Sequence, residues 1–126
     1  MLDKKNFYIN GEWVPPIEPR DFKVINPANE EPCAEISLGG KKDVDKAVSA
    51  AKKAFDKWAF SSKEERLELL EKLYVIYKKR WAEMAKLISL EMGAPMKFST
   101  EMQAATGASH IKSFKNILKD FKFEKD

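Results

Sequence analysis

SKEERLELLEKLYVIYKKRWAEMAKLISLEMG, residues 62–93, carries the longest periodic signal in the chain. Leu67, Leu70, Leu73, Tyr74, Tyr77, Trp81, Met84, Ala85 and Ile88 recur every three or four positions, the period of one face of an α-helix. Leu69, Ile76, Leu87 and Leu90 widen that face, so the helix needs neighbours on two flanks. Glu64, Glu68, Glu71, Lys72, Lys79, Glu83 and Lys86 form its wet side. Ser62 and Glu65 make a capping box at the start, each side chain satisfying the other's backbone N–H. Gly93 closes the end in the left-handed conformation, and Pro95 blocks continuation. A single rod of about 45 Å is predicted from the rise per residue.

Upstream, FYINGEWV at 7–14 places Asn-Gly between two β-prone runs, which predicts a two-residue hairpin. Pro15, Pro16 and Pro19 then keep the chain extended. A strand over 22–25 and another over about 32–38, with Cys33 inside it, form a second pair around the turn 28–31. Gly40 can cap a helix whose first turn carries Asp43 and Asp45 against the positive end of the dipole. Val44, Ala47, Val48, Ala51, Phe55 and Trp58 line one side of that helix, with Phe55 and Trp58 supplying most of its apolar area. Downstream, a third helix is predicted from Lys97 to Phe121, with Met102, Ala105, Ala108, Ile111, Phe114, Leu118 and Phe121 on one face. Gly107 sits mid-helix at a cost of about 1 kcal/mol relative to alanine, which points to a close neighbour there.

The fold class expected is therefore α+β and helix-rich: a hairpin and a second strand pair over 1–40, then three long helices over 41–121, in a single partial domain. With 44% hydrophobic and 34% charged residues the composition is that of a globular chain. No apolar run reaches the roughly 18 residues of a membrane span, and the N-terminus lacks the apolar core of a signal peptide. Cytoplasm is the default location. Cys33, the one cysteine, cannot form an internal disulfide.

The net charge of +3 is mild. Lys112, Lys115, Lys119, Lys122 and Lys125 recur at helical spacing, read as a solvated face; without arginines, and with no exposed aromatics expected between them, they do not predict nucleic-acid binding. His110 has no partner at a triad spacing and reads as a packing or surface histidine. Cys33 reads as a small buried hydrophobe. There is no phosphate-cradling loop and no metal-ligand spacing. These residues assign no catalytic and no cofactor-binding group to the chain.

FYINGEW at 7–13, INPAN at 25–29, DVDKAV at 43–48, AAKKAFDKW at 50–58, Glu65-Arg66 and LEMGAP at 90–95 stand in order along the chain. Together they resemble the N-terminal quarter of the NAD(P)-dependent aldehyde dehydrogenases. Each is weak alone, and the order and spacing make them strong together. Glu30 and Glu31 depart from the family, where a glycine and then an acidic residue are usual, so the turn is expected to differ there.

The resemblance implies a full-length parent, several times longer, that oxidises an aldehyde to a carboxylic acid with NAD or NADP. The family's nucleophilic cysteine, glutamate base, asparagine donor and nucleotide-binding loop have no counterpart in these motifs. The chain therefore looks like a fragment, ending where oligomerisation strands should follow. Alone it is expected to be inactive, to bind no cofactor and to self-associate through the uncovered wide face of the central helix. Its partners would be the remainder of the parent and, in the parent, a small aldehyde.

By position, Met102 and Thr106 match two tunnel-mouth residues, four apart and so on one helix face; Met102 packing alone is the plainer reading. Val24, Ile25 and Glu91 fall where many relatives hold a monovalent cation with main-chain oxygens and a carboxylate. A plain helix-terminal glutamate accounts equally for Glu91. Outside the resemblance, the alternative is a free-standing helical interaction domain that engages an acidic partner through the lysine row.

Overall fold

The computed structural model describes residues 1–124. It divides into two compact units, Met1–Phe60 and the residues from Ser61 on. The architecture is the helix-rich α+β one expected, strands first and helices after.

In the first unit, β2 (Phe7–Ile9) and β3 (Glu12–Val14) form the predicted antiparallel hairpin. Asn10 and Gly11 take φ of 56° and 83°, the pair of positive angles that a type I′ turn requires. The second pair is β4 (Asp21–Asn26) and β5 (Glu31–Ser37), also antiparallel. Its turn is held by the Asn26 carbonyl, which accepts from Glu30 N–H at 2.8 Å, and by the Asn26 side chain, which accepts from Ala28 N–H at 2.9 Å. Glu30 has φ 59°, a conformation that glycine takes without steric cost and glutamate does not.

A strand not predicted from the sequence, β1 (Leu2–Lys4), adds in parallel to β5, giving the order β1-β5-β4. Lys5 ties this edge down by bridging Asp21 at 2.7 Å and Glu35 at 2.8 Å. Those two carboxylates raise its pKa above the ordinary lysine range.

Helix α1 (Lys41–Trp58) starts at Gly40, as predicted. Asp43 does more than oppose the helix dipole. Its carboxylate is buried and accepts from Gly40 N–H and from Ile17 N–H, each at 2.9 Å, stitching the proline-rich segment to the helix start. The two N–H donors, Gly40 first, hold its pKa below the usual carboxylate range. The expectation that Phe55 and Trp58 supply buried area is corrected: Phe55 is 64% exposed, and Val44, Val48 and Trp58 are exposed too.

The second unit corrects the single rod. Its capping box forms as expected, with Ser62 Oγ accepting from Glu65 N–H at 3.1 Å and Glu65 accepting from Ser62 N–H at 2.7 Å. The helix then breaks at Arg80 into α2 (Lys63–Lys79) and α3 (Trp81–Met92). Arg80 takes φ −99°, ψ 10°, and its N–H is shared between the Ile76 and Tyr77 carbonyls at 3.1 Å each. No proline or glycine lies at the joint. Tyr77 and Trp81, either side of Arg80, make separate long-range bonds, Tyr77 to the Ala104 carbonyl and Trp81 to the Thr100 carbonyl, so the two helices are anchored independently. Glu83 accepts from Arg80 Nε and Nη2 at 2.7 Å each across the bend. Gly93 closes α3 with φ 68°, as predicted.

The last helix is also not one uniform rod. A short turn, α4 (Met96–Phe98), leads into a π-helical turn (Ser99–Gln103) and then α5 (Ala104–Asp120). The extra residue in the π-turn takes Met102 out of phase with Ala105 and Ala108, and beyond it the expected apolar face is only partly right as well. Ala104 and Ala108 are buried, whereas Met102, Phe114 and Phe121 are exposed. The core is made of small residues, with Ala85, Ser99 and Ala104 at 0% exposure, which lets α3 and the π-turn approach closely. Lys63 Nζ donates to the Lys119 carbonyl at 2.9 Å, bridging the start of α2 and the end of α5.

Candidate functional site

Met102 lies in the π-turn and Thr106 in the first turn of α5. Both are exposed, Met102 at 57%. The Thr106 hydroxyl donates to the Met102 carbonyl at 2.9 Å. Its proton is engaged within the helix, so the pair offers a flexible thioether and a β-branched neighbour, surface suited to an apolar chain.

The π-turn beneath the pair is buttressed. Ala104 N–H bonds to the Ser99 carbonyl, one residue further back than in an α-helix. The Thr100 carbonyl, which an α-ladder would have paired with Ala104, instead accepts the Trp81 indole N–H at 3.1 Å. The Ala104 carbonyl accepts the Tyr77 hydroxyl at 2.9 Å. Tyr77 and Trp81 stack edge-to-face with centroids 6.3 Å apart. On the inner side, Ser99 is buried and its hydroxyl meets Gln103 Oε1 at 3.1 Å. Thr100 Oγ1 donates to the Met96 carbonyl at 2.8 Å. Gly107 is where the tyrosine fits: a Cβ there would stand 2.8 Å from Tyr77 Cζ.

Of the three cation positions, Val24 and Ile25 are adjacent on β4 and Glu91 is exposed near the end of α3, in the other unit. The β4–β5 register shifts between Val24 and Ile25, opposite Ala34 and Pro32 respectively, which leaves Cys33 as the extra residue of a bulge. The Cys33 thiol is half-buried and contacts the Val24 carbonyl at 3.4 Å, occupying one of the oxygens assigned to the cation. Among the described residues no His, Cys, Asp and Glu side chains cluster as metal ligands.

His110 is exposed on α5. Of the lysine row, Lys112, Lys119 and Lys122 are exposed, and Lys125 lies outside the described residues. Lys115 departs from the solvated reading: it pairs with Glu71 and sits 5.7 Å over the Tyr74 ring, clamping α5 to α2. Among the described residues, no helix is long and apolar enough to cross a membrane.

The π-turn and its aromatic buttress were not foreseen. The one pointer was Gly107, whose position mid-helix called for a close neighbour; nothing in the spacing identified Tyr77 as that neighbour.

The sequence model of the aldehyde dehydrogenase family matches residues 13–125. The chain belongs to that family. It is 45% identical over 125 residues to a 3-succinoylsemialdehyde-pyridine dehydrogenase of a Pseudomonas species, covering 98% of this chain and 26% of that protein. Among solved structures, an aldehyde dehydrogenase from Bartonella henselae superposes with a TM-score of 0.97 at 52% identity, covering 99% of this chain and 26% of that one. A variant of aldehyde dehydrogenase C from Pseudomonas syringae, in complex with NAD+ and octanal, superposes with a TM-score of 0.94 at 36% identity, over 97% and 25% of the two chains. The chain thus spans about a quarter of the length of the relatives it matches.

Proposed function

We propose that these residues are the N-terminal segment of an aldehyde dehydrogenase that converts an aldehyde and water to a carboxylic acid while reducing NAD+ or NADP+. The observation that carries this reading is the superposition on the Bartonella henselae enzyme, at 52% identity along 99% of the chain. The nucleophile, the general base and the nucleotide-binding loop belong to the remainder of the parent, which is this segment's principal partner. The complex of the Pseudomonas syringae relative with NAD+ and octanal supports NAD+ as acceptor and an aldehyde as substrate.

Within that enzyme, Met102 and Thr106 line the aldehyde's path, a role supported by their exposure on one side of the helix. By resemblance, Val24 and Ile25 offer main-chain oxygens and Glu91 a carboxylate, each of the hard-oxygen kind that a monovalent cation takes. The enzyme works in the cytoplasm and contacts neither nucleic acid nor membrane. The isolated chain is catalytically silent, binds no cofactor and self-associates through the uncovered apolar face of the central helical run, where Leu69, Leu73 and Ile76 are exposed.

The test is to express the complete reading frame that holds these codons beside the 126-residue chain, and to follow aldehyde-dependent nicotinamide reduction in both. Activity in the full frame and none in the chain is expected. Saturable micromolar NAD+ binding by the chain alone, or a folded full-length protein that oxidises no aldehyde, would overturn it.

A further inference from the structure

The π-turn poses a question that the proposed role of Met102 does not answer: what keeps the extra residue in the helix. A π-turn closes poorer hydrogen bonds than an α-turn and persists where tertiary contacts hold it. Here Ala104 N–H reaches back to Ser99 and leaves the Thr100 carbonyl to a side chain, the Trp81 indole N–H at 3.1 Å. The next segment cannot follow a slip, because the Ala104 carbonyl is held by Tyr77 and Ala104 and Ala108 are buried. Removing the indole donor leaves a half-buried Thr100 carbonyl without that partner. Ala104 N–H then gains by moving from Ser99 to Thr100, which restores an α-turn. Such a slip turns the residues ahead of Ala104, Met102 and the buried Ser99 among them, by up to about 100° about the helix axis, so the burial of Ser99 and the indole bond hold the turn together.

We propose that Trp81 is a positioning residue: through the Thr100 carbonyl it holds the π-turn that aims Met102, and so sets how the enzyme discriminates aldehydes by chain length. This rests on the reading of Met102 as part of the aldehyde path. Trp81 touches no substrate in this account. Its effect is transmitted only through the register of residues 99–103.

The experiment is a double-mutant cycle in the full-length enzyme that carries this segment, with Trp81→Phe, Met102→Ala and the pair. The readout is the ratio of kcat/KM for octanal to that for acetaldehyde, with thermal unfolding as the check on folding. Met102→Ala should shift the ratio by about tenfold, Trp81→Phe should shift it comparably, and Trp81→Phe should add nothing when Met102 is already alanine. A crystal structure of Trp81→Phe should show Ala104 N–H bonded to the Thr100 carbonyl. If Met102→Ala moves the ratio and Trp81→Phe does not, the positioning role is wrong and the aldehyde path stands. If Met102→Ala itself leaves the ratio unchanged, the path reading fails and this inference with it. Should Trp81→Phe not fold, benzothienylalanine at position 81 keeps the ring shape and removes only the N–H, and the same comparison decides.

Discussion

Tyr77 stands over Gly107 with its ring carbon Cζ 2.8 Å from where a Cβ would lie, and its hydroxyl donates to the Ala104 carbonyl at 2.9 Å. One glycine thus admits the aromatic ring that locks α2 to α5. Gly107→Ala would gain about 1 kcal/mol of helix propensity, yet it must displace a part-buried ring and break its hydrogen bond. A net loss of about 1–3 kcal/mol is expected from denaturant unfolding. In a Tyr77→Ala background the same substitution should become neutral or stabilising. If Gly107→Ala stabilises the otherwise unaltered chain, the ring is not fixed there.

The turn between β4 and β5 carries a built-in cost. Glu30 holds φ 59°, where a side chain is disfavoured by roughly 1–2 kcal/mol, while glycine loses about 0.5–1 kcal/mol more backbone entropy on folding. Glu30→Gly should therefore stabilise by up to about 1 kcal/mol. Thermal unfolding of the two chains decides it, and a lower midpoint for Glu30→Gly would show that the glutamate side chain contributes a contact worth more than the strain.

Asp43 makes the first unit acid-sensitive. Its pKa is depressed by the Gly40 and Ile17 N–H donors, so the unfolded chain binds its proton more readily than the folded one. The stability it contributes is fully present above the unfolded value of about 3.9, and it is lost as pH falls through the lower folded value. Asp43→Asn should unfold more easily at neutral pH and show a flatter decline in acid. Parallel pH profiles of the two melting midpoints would exclude this role.

Most of the boundaries were readable from local chemistry: Asn10-Gly11, the Ser62–Glu65 box, Gly40 and Gly93 each satisfy a backbone need within a few residues. What escaped is what depends on distant partners. The strand Leu2–Lys4 has no pattern of its own and exists because β5 offers a parallel edge about thirty residues away. The break at Arg80 falls in a run of good helix formers and coincides with long-range bonds on either side of it, from Tyr77 to the Ala104 carbonyl and from Trp81 to the Thr100 carbonyl. The π-turn likewise puts Met102 out of phase with Ala105 and Ala108, a shift that no local spacing announces. The positions Met102 and Thr106 came from resemblance to a family and not from any local signal.

Those two positions make a prediction for the full-length enzyme. On the proposal that Met102 and Thr106 line the aldehyde path, Thr106→Trp should narrow it and lower kcat/KM for octanal far more than for acetaldehyde, by a differential of about 1–3 kcal/mol. An unchanged ratio in a folded variant would mean that Thr106 only packs.

The membership of this chain in a working aldehyde dehydrogenase is tested most directly by a graft. The segment of the Bartonella henselae enzyme that superposes on this chain, at a TM-score of 0.97, is replaced by these 126 residues, and aldehyde oxidation is assayed with NAD+ and with NADP+. A soluble chimera with kcat/KM within about tenfold of the parent is expected. A chimera that folds and oxidises no aldehyde with either acceptor would contradict it.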